Sequence, residues 1–186
     1  MTTPGEYSPY SKKIILLLVA VSAFGFDFMM FLSAGPEYAR YHNLDGTAGL
    51  VTTTMLLATV ATRLLIPQLQ VIVKPKRLTT LAAIAMGSGT VLMVPDVHQP
   101  ILMFTGAISR GVAFAILTVI IQALLTNITP VRTRGQIAGL LGVATTANAV
   151  IAPSLGLALF RWGYYWAPAA IAVFFGLITL YVIARH

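Results

Sequence analysis

Six apolar runs of membrane-crossing length follow one another along the chain, with only short polar turns between them. They fall at about 14–34, 47–73, 78–94, 100–128, 136–160 and 166–184, each near the roughly 20 residues that a helix needs to cross a hydrocarbon core of about 30 Å. The predicted fold class is an all-α membrane protein: six transmembrane helices in one bundle over 14–186, behind a polar tail over 1–13. Composition agrees, since 58% of residues are hydrophobic, 9% are charged and the mean hydropathy is +0.86. An average soluble domain carries roughly 25% charged residues.

Lys12-Lys13 ahead of the first run imitates the start of a signal peptide, but the run is too long for one and carries Asp27. It reads as the first of several uncleaved spans. Lys12, Lys13, Lys74, Lys76, Arg77, Arg132, Arg134 and Arg185 fall on the side of the N-terminus, and only Arg40 and Arg161 on the other. The positive-inside rule then places both termini in the cytoplasm, in the plasma membrane. Glu37, Asp45 and Asp96 lie outside, and Tyr164, Tyr165 and Trp166 fit an aromatic belt at the outer interface. The formal charge of +7 thus reports topology, because no basic cluster interleaved with aromatics points to nucleic acid.

Two opposite charges stand inside the spans, where an unpaired charge is costly. Arg110 lies roughly 15 Å in from the outer start of the fourth span and Asp27 roughly 20 Å in from the inner start of the first. The two helices run in opposite directions, so the residues reach the same depth to within about one helical turn and can pair. One reading makes Asp27 a proton or cation site facing a central cavity, with Arg110 setting its affinity. The other makes the pair a static device that fixes helix packing.

Thr118, Gln122 and Thr126 follow Arg110 along one side of the fourth span, and such groups line a wet pathway or bond a neighbouring helix. Gln122 is the stronger substrate candidate, because a buried amide wants several partners. Thr52, Thr59 and Arg63 form a stripe on the second span, with Arg63 close enough to the inner end to snorkel to the headgroups. In the fifth span Ala144, Asn148, Ala152 and Gly156 make a small-residue ladder, and Gly135 and Gly139 begin a similar one. Close packing is expected there, with Asn148 bonding across the contact and Pro153 kinking the helix.

The chain has no cysteine, and His42, His98 and His186 show no metal-ligand spacing, so no metal and no cofactor is implied. Asp27 is the only intramembrane acid, whereas intramembrane catalysis needs a second carboxylate, a Ser/His pair or a metal cluster. No enzyme is read from this sequence.

Arg110-Gly111-Val112-Ala113-Phe114-Ala115, the turn Pro130-Val131-Arg132-Thr133-Arg134-Gly135 with Gly139, and Ala152-Pro153-Ser154-Leu155-Gly156 occur in this order. Together they resemble the fourth and fifth helices of the major facilitator superfamily of secondary transporters. The spacing from Asp27 to Pro36 in FDFMMFLSAGP is similar to the first-helix motif of its drug-proton antiporters. The chain departs from the family in PQLQVIVKPKRL, where Val71 or Ile72 stands in place of the aspartate between helices two and three. It departs again at Ala107, which occupies the usual position of the fourth-helix arginine.

The resemblance implies two inverted three-helix repeats and one six-helix half of a twelve-span carrier. It implies a secondary active transporter, with proton-coupled efflux of a small hydrophobic or cationic molecule as the leading reading. The partners are then the lipid bilayer, the substrate, and either a missing second half or a second copy in a homodimer. Uptake of a sugar or other metabolite is one alternative, and a non-transporting assembly partner or remnant fragment is another.

Overall fold

The computed structural model describes residues 11–93, 100–164 and 166–184. The tail through Tyr10, together with Asp96, His98, Tyr165, Arg185 and His186, lies outside the described residues. Six long helices carry the described chain: α1 (Lys12–Tyr41), α2 (Ala48–Ile72), α3 (Pro75–Met93), α4 (Pro100–Ile128), α5 (Arg134–Arg161) and α6 (Ala167–Ala184). Four of them, α1, α2, α4 and α5, are long and apolar enough to cross a membrane.

α1 and α4 form the centre. α1 packs on α5, α6, α2 and α4, while α4 packs on α3, α2 and α1, and α6 closes over α1 and α3. The core between them is aromatic: the Phe28 and Phe114 rings stack at 3.7 Å between centroids, and Phe24 meets Phe114 edge-on at 5.9 Å. α2 and α5 contribute only one buried stripe each and leave most of their surfaces exposed.

α1 continues past the expected end of its apolar run at Ala34, through Pro36, to Tyr41. A proline inside a helix orphans the carbonyl four residues back, here that of Leu32. Thr52 of α2 donates its hydroxyl to that carbonyl at 3.2 Å. The neighbouring helix therefore repairs the break, as an apolar surrounding without water demands. The helix stops at a left-handed Asn43 (φ 60°), with Leu44 N bonded to Ala39 O at 2.8 Å. The same i to i−5 closure ends α5, where Gly163 has φ 80° and Tyr164 N bonds Leu159 O at 3.0 Å.

Small residues set the crossings. A Cβ on Gly111 would strike the Met55 carbonyl of α2 and lie 3.0 Å from the Ala58 Cβ. One on Gly89 would lie 2.8 Å from the Gly106 carbonyl, and one on Gly106 would lie 2.7 Å from the Gly89 carbonyl. At Gly156 a Cβ would meet Met30 of α1 at 3.0 Å. Gly135 and Gly139 behave differently from the packing ladder expected of them: both face open space. The reason is that α5 meets α1 along the stripe of Asn148, Ala152 and Gly156, which leaves the glycines of its first turns on an uncovered face. Gly111→Leu is therefore expected to destabilise the bundle by about 3 kcal/mol, whereas Gly139→Leu should change it by less than about 0.5 kcal/mol. Thermal melts in detergent that ranked the two in the reverse order would contradict this helix arrangement.

Candidate functional site

Arg110 and Asp27 meet at the centre of the bundle. The guanidinium Nη2 stands 3.0 Å from Asp27 Oδ1, and the side chains are 0% and 2% exposed. Nη2 also donates to the Asp27 carbonyl oxygen at 3.2 Å. Nη1 donates to the Thr90 hydroxyl of α3, and the guanidinium carbon lies 3.9 Å over the Phe31 ring. The cation of α4 is thus held by a carboxylate, a backbone carbonyl and an aromatic face of α1 and by a hydroxyl of α3.

Local sequence explains each contact. Phe31 follows Asp27 by four residues and so shares its face of α1. On α3, Gly89 precedes Thr90, and its missing side chain lets α4 approach at Gly106, one turn before Arg110. A Cβ at Gly89 would sit 2.7 Å from the Arg110 Cγ, so this glycine also makes room for the arginine stem.

The hydrogen-bond geometry is uneven. Asp27 Oδ1 and Arg110 Nε lack directed hydrogen-bond partners, although Oδ1 lies within ion-pair distance of Nη2. Beside the carboxylate is a cavity of about 10 Å³ lined by Phe24, Asp27, Ala83, Met86, Leu117 and Gly176. That is near the smallest space that holds one water.

The other candidate residues do not converge on this pair. Thr118 is buried, but its hydroxyl donates within α4 to the Phe114 carbonyl at 2.6 Å and the Ala115 carbonyl at 3.0 Å. Gln122 is exposed and lines a separate cavity of about 360 Å³ between α4 and α5, with Thr126, Thr129 and Arg134 among its walls. Asn148 donates to the Ser22 carbonyl of α1 at 3.0 Å and borders a groove shared with α1 and α6. The three expected cavity residues therefore stand in three environments: Thr118 and Gln122 share α4 but lie about one turn apart along it, and Asn148 belongs to the contact of α5 with α1.

Thr59 serves a crossing, with its hydroxyl in reach of the Met55 and Gly111 carbonyls at 2.9 and 3.1 Å. Arg63, in the same sequence stripe, is exposed. α5 runs unbroken through Pro153, whose carbonyl accepts from Ser33 of α1 at 3.1 Å, three residues before the Gly156 contact. Sequence reasoning missed Thr90 and Phe31. The i+4 spacing from Asp27 was the available signal for Phe31, while nothing local to α3 marked Thr90.

A bundle of apolar helices enclosing a charge pair defines a multi-span helical membrane protein. Residues 17–185 match the family model of the Major Facilitator Superfamily, and the chain belongs to that superfamily, whose members are transporters and not enzymes. No curated protein and no solved structure matches it.

Arg110→Met would leave the Asp27 carboxylate buried and unpaired, and is expected to cost about 3–5 kcal/mol. Adding Asp27→Asn should recover a large part of that loss, because the uncompensated charge disappears with it. If denaturation of the purified protein showed the two changes to be merely additive, the pair would not be coupled.

Proposed function

We propose that this chain is one six-helix half of a secondary active carrier in the plasma membrane. It exports a small hydrophobic or cationic molecule in exchange for protons, and Asp27 is the group that takes up the proton. The observation that carries this reading is the buried Asp27–Arg110 pair, enclosed between the two central helices. Ionisable groups kept at this depth are costly and mark ion or proton pathways.

The chemistry follows from the remaining partners of the guanidinium. Protonation of Asp27 removes the charge attraction, yet Arg110 keeps the Thr90 hydroxyl, the Asp27 carbonyl and the Phe31 face. The pair can therefore open without leaving a bare buried cation. Losing the ion pair would weaken, without dissolving, the tie of α1 to α4, a two-state element that a proton on one side and a substrate on the other can bias in opposite directions.

In this reading α1 to α3 and α4 to α6 are inverted repeats whose first helices carry the two charges. Both termini lie in the cytoplasm, consistent with Lys12, Lys13, Lys74, Lys76, Arg77, Arg132 and Arg134 gathering on one side. A second half, in the same polypeptide or as a second copy, covers α2 and α5. Their apolar windows are 28% and 17% buried, against 56% and 50% for α1 and α4, so these two helices have far more uncovered surface than the central pair. A polar-metabolite carrier is the second reading, favoured by the cavity that Gln122 shares with Thr126, Thr129 and Arg134.

Asp27→Asn should abolish transport driven by a pH gradient in proteoliposomes while leaving substrate binding within about threefold. The proton-coupled reading fails if a pH gradient still drives accumulation in that variant at the parental rate. Crosslinking between cysteines placed at Val143 and Leu57 of separate chains tests whether a second copy covers these helices.

A further inference from the structure

At the end of the bundle where α1 and α3 begin and α4 ends, a groove of about 310 Å³ opens between these three helices. Its walls are Leu17, Ile120, Ile121, Leu124 and Ile128, and its rim carries Lys13 of α1 and Lys76 of α3. Leu17, Ile120 and Ile121 are buried and form the floor, whereas Leu124 is 38% exposed, so the groove is open laterally along α4. The lysines are separated by more than sixty residues in sequence, and only the packing of α1 and α3 against α4 brings them to one rim.

The groove has a polar end and an apolar end. Moving along α4 from Ile128 to Ile120 covers eight residues, roughly 12 Å of depth, starting near the level of the lysines and ending against the buried core. α3 begins at the rim with Pro75 and adds the positive end of a helix dipole there. Lys12, Lys74 and Arg77 flank the two helix starts and extend the positive field. The Thr79 hydroxyl donates to the Pro75 carbonyl at 2.6 Å, so the rim's attraction for a ligand is cationic.

An occupant that fits must be an amphiphile with an anionic head at the helix ends and an apolar tail running inward beside α4. We propose that this groove is a binding site for an anionic phospholipid from the leaflet on the N-terminal side of the bundle. Lys13 and Lys76 hold its phosphate, and Leu17, Ile121 and Leu124 hold the first part of an acyl chain. The site lies apart from the Asp27–Arg110 pair and does not depend on the transport reading. It bridges α1 and α4, which supply the pair, and α3, which supplies Thr90, so a bound lipid would stabilise their packing.

The test is native mass spectrometry of the delipidated full chain in a neutral detergent, titrated with phosphatidylglycerol or with phosphatidylcholine of the same acyl chains. One phosphatidylglycerol should remain bound under conditions that strip phosphatidylcholine. Lys13→Gln and Lys76→Gln should each weaken that binding about fivefold, as expected for one headgroup lysine. Lys76→Arg should retain it. Arg132→Gln, which removes one charge from the α4–α5 turn, should leave it within about twofold. Equal retention of the two lipids overturns the proposal, and that comparison needs no variant to fold. Equal weakening by Arg132→Gln and Lys76→Gln also overturns it, because the effect would then be a diffuse field.

Discussion

One arginine in an apolar bundle dictates much of this structure. Guanidinium cannot shed its charge, and lipid offers it neither water nor counterions, so the surrounding helices must supply every partner. Arg110 is met by Asp27 and Phe31 of α1 and by Thr90 of α3, which fixes the relative rotation and depth of three helices at once. Close approach is the second requirement, and the glycines at 89, 106 and 111 meet it by letting α3 and α2 lie against α4 where the arginine emerges. Charge satisfaction and backbone proximity are thus one constraint expressed through two residue types.

The same rule governs the backbone. Pro36 removes a hydrogen bond from α1, and Thr52 from the adjoining helix answers the freed Leu32 carbonyl. Ser33 and Asn148 tie α1 to α5 through the carbonyls of Pro153 and Ser22. Polar side chains in this bundle mostly bond to carbonyls, either of their own helix or of the next one. That explains why Thr118, for which the sequence left a pathway role open, serves helix structure, as Thr59 does. In a bundle tied in this way the buried ion pair of the described residues is the Asp27–Arg110 contact.

Burial is distributed unevenly among the helices, and the difference bears on transport. α1 and α4 are enclosed, whereas α2 and α5 bury one stripe and expose residues such as Thr145, Thr146 and Gln136 along with glycine. Exposed polar and small residues on a long apolar helix suit contact with protein better than contact with lipid tails, since small residues permit backbone approach and hydroxyls find partners there.

The sequence by itself determined the membrane class, the number of long helices and the shared depth of Asp27 and Arg110, because hydropathy and a rise of about 1.5 Å per residue are local properties. It also marked Gly156 and Asn148 as contact residues through their four-residue spacing. Only the tertiary structure decided which face of each helix meets which neighbour. Azimuth depends on all the contacts of a helix together, so Thr90 found the arginine, Gly135 and Gly139 were left uncovered, and Asn148 turned to α1 and away from Thr118 and Gln122 of α4. Two lysines far apart in sequence came to one groove for the same reason: helix packing sums over the whole bundle, and no single stretch of chain records the sum.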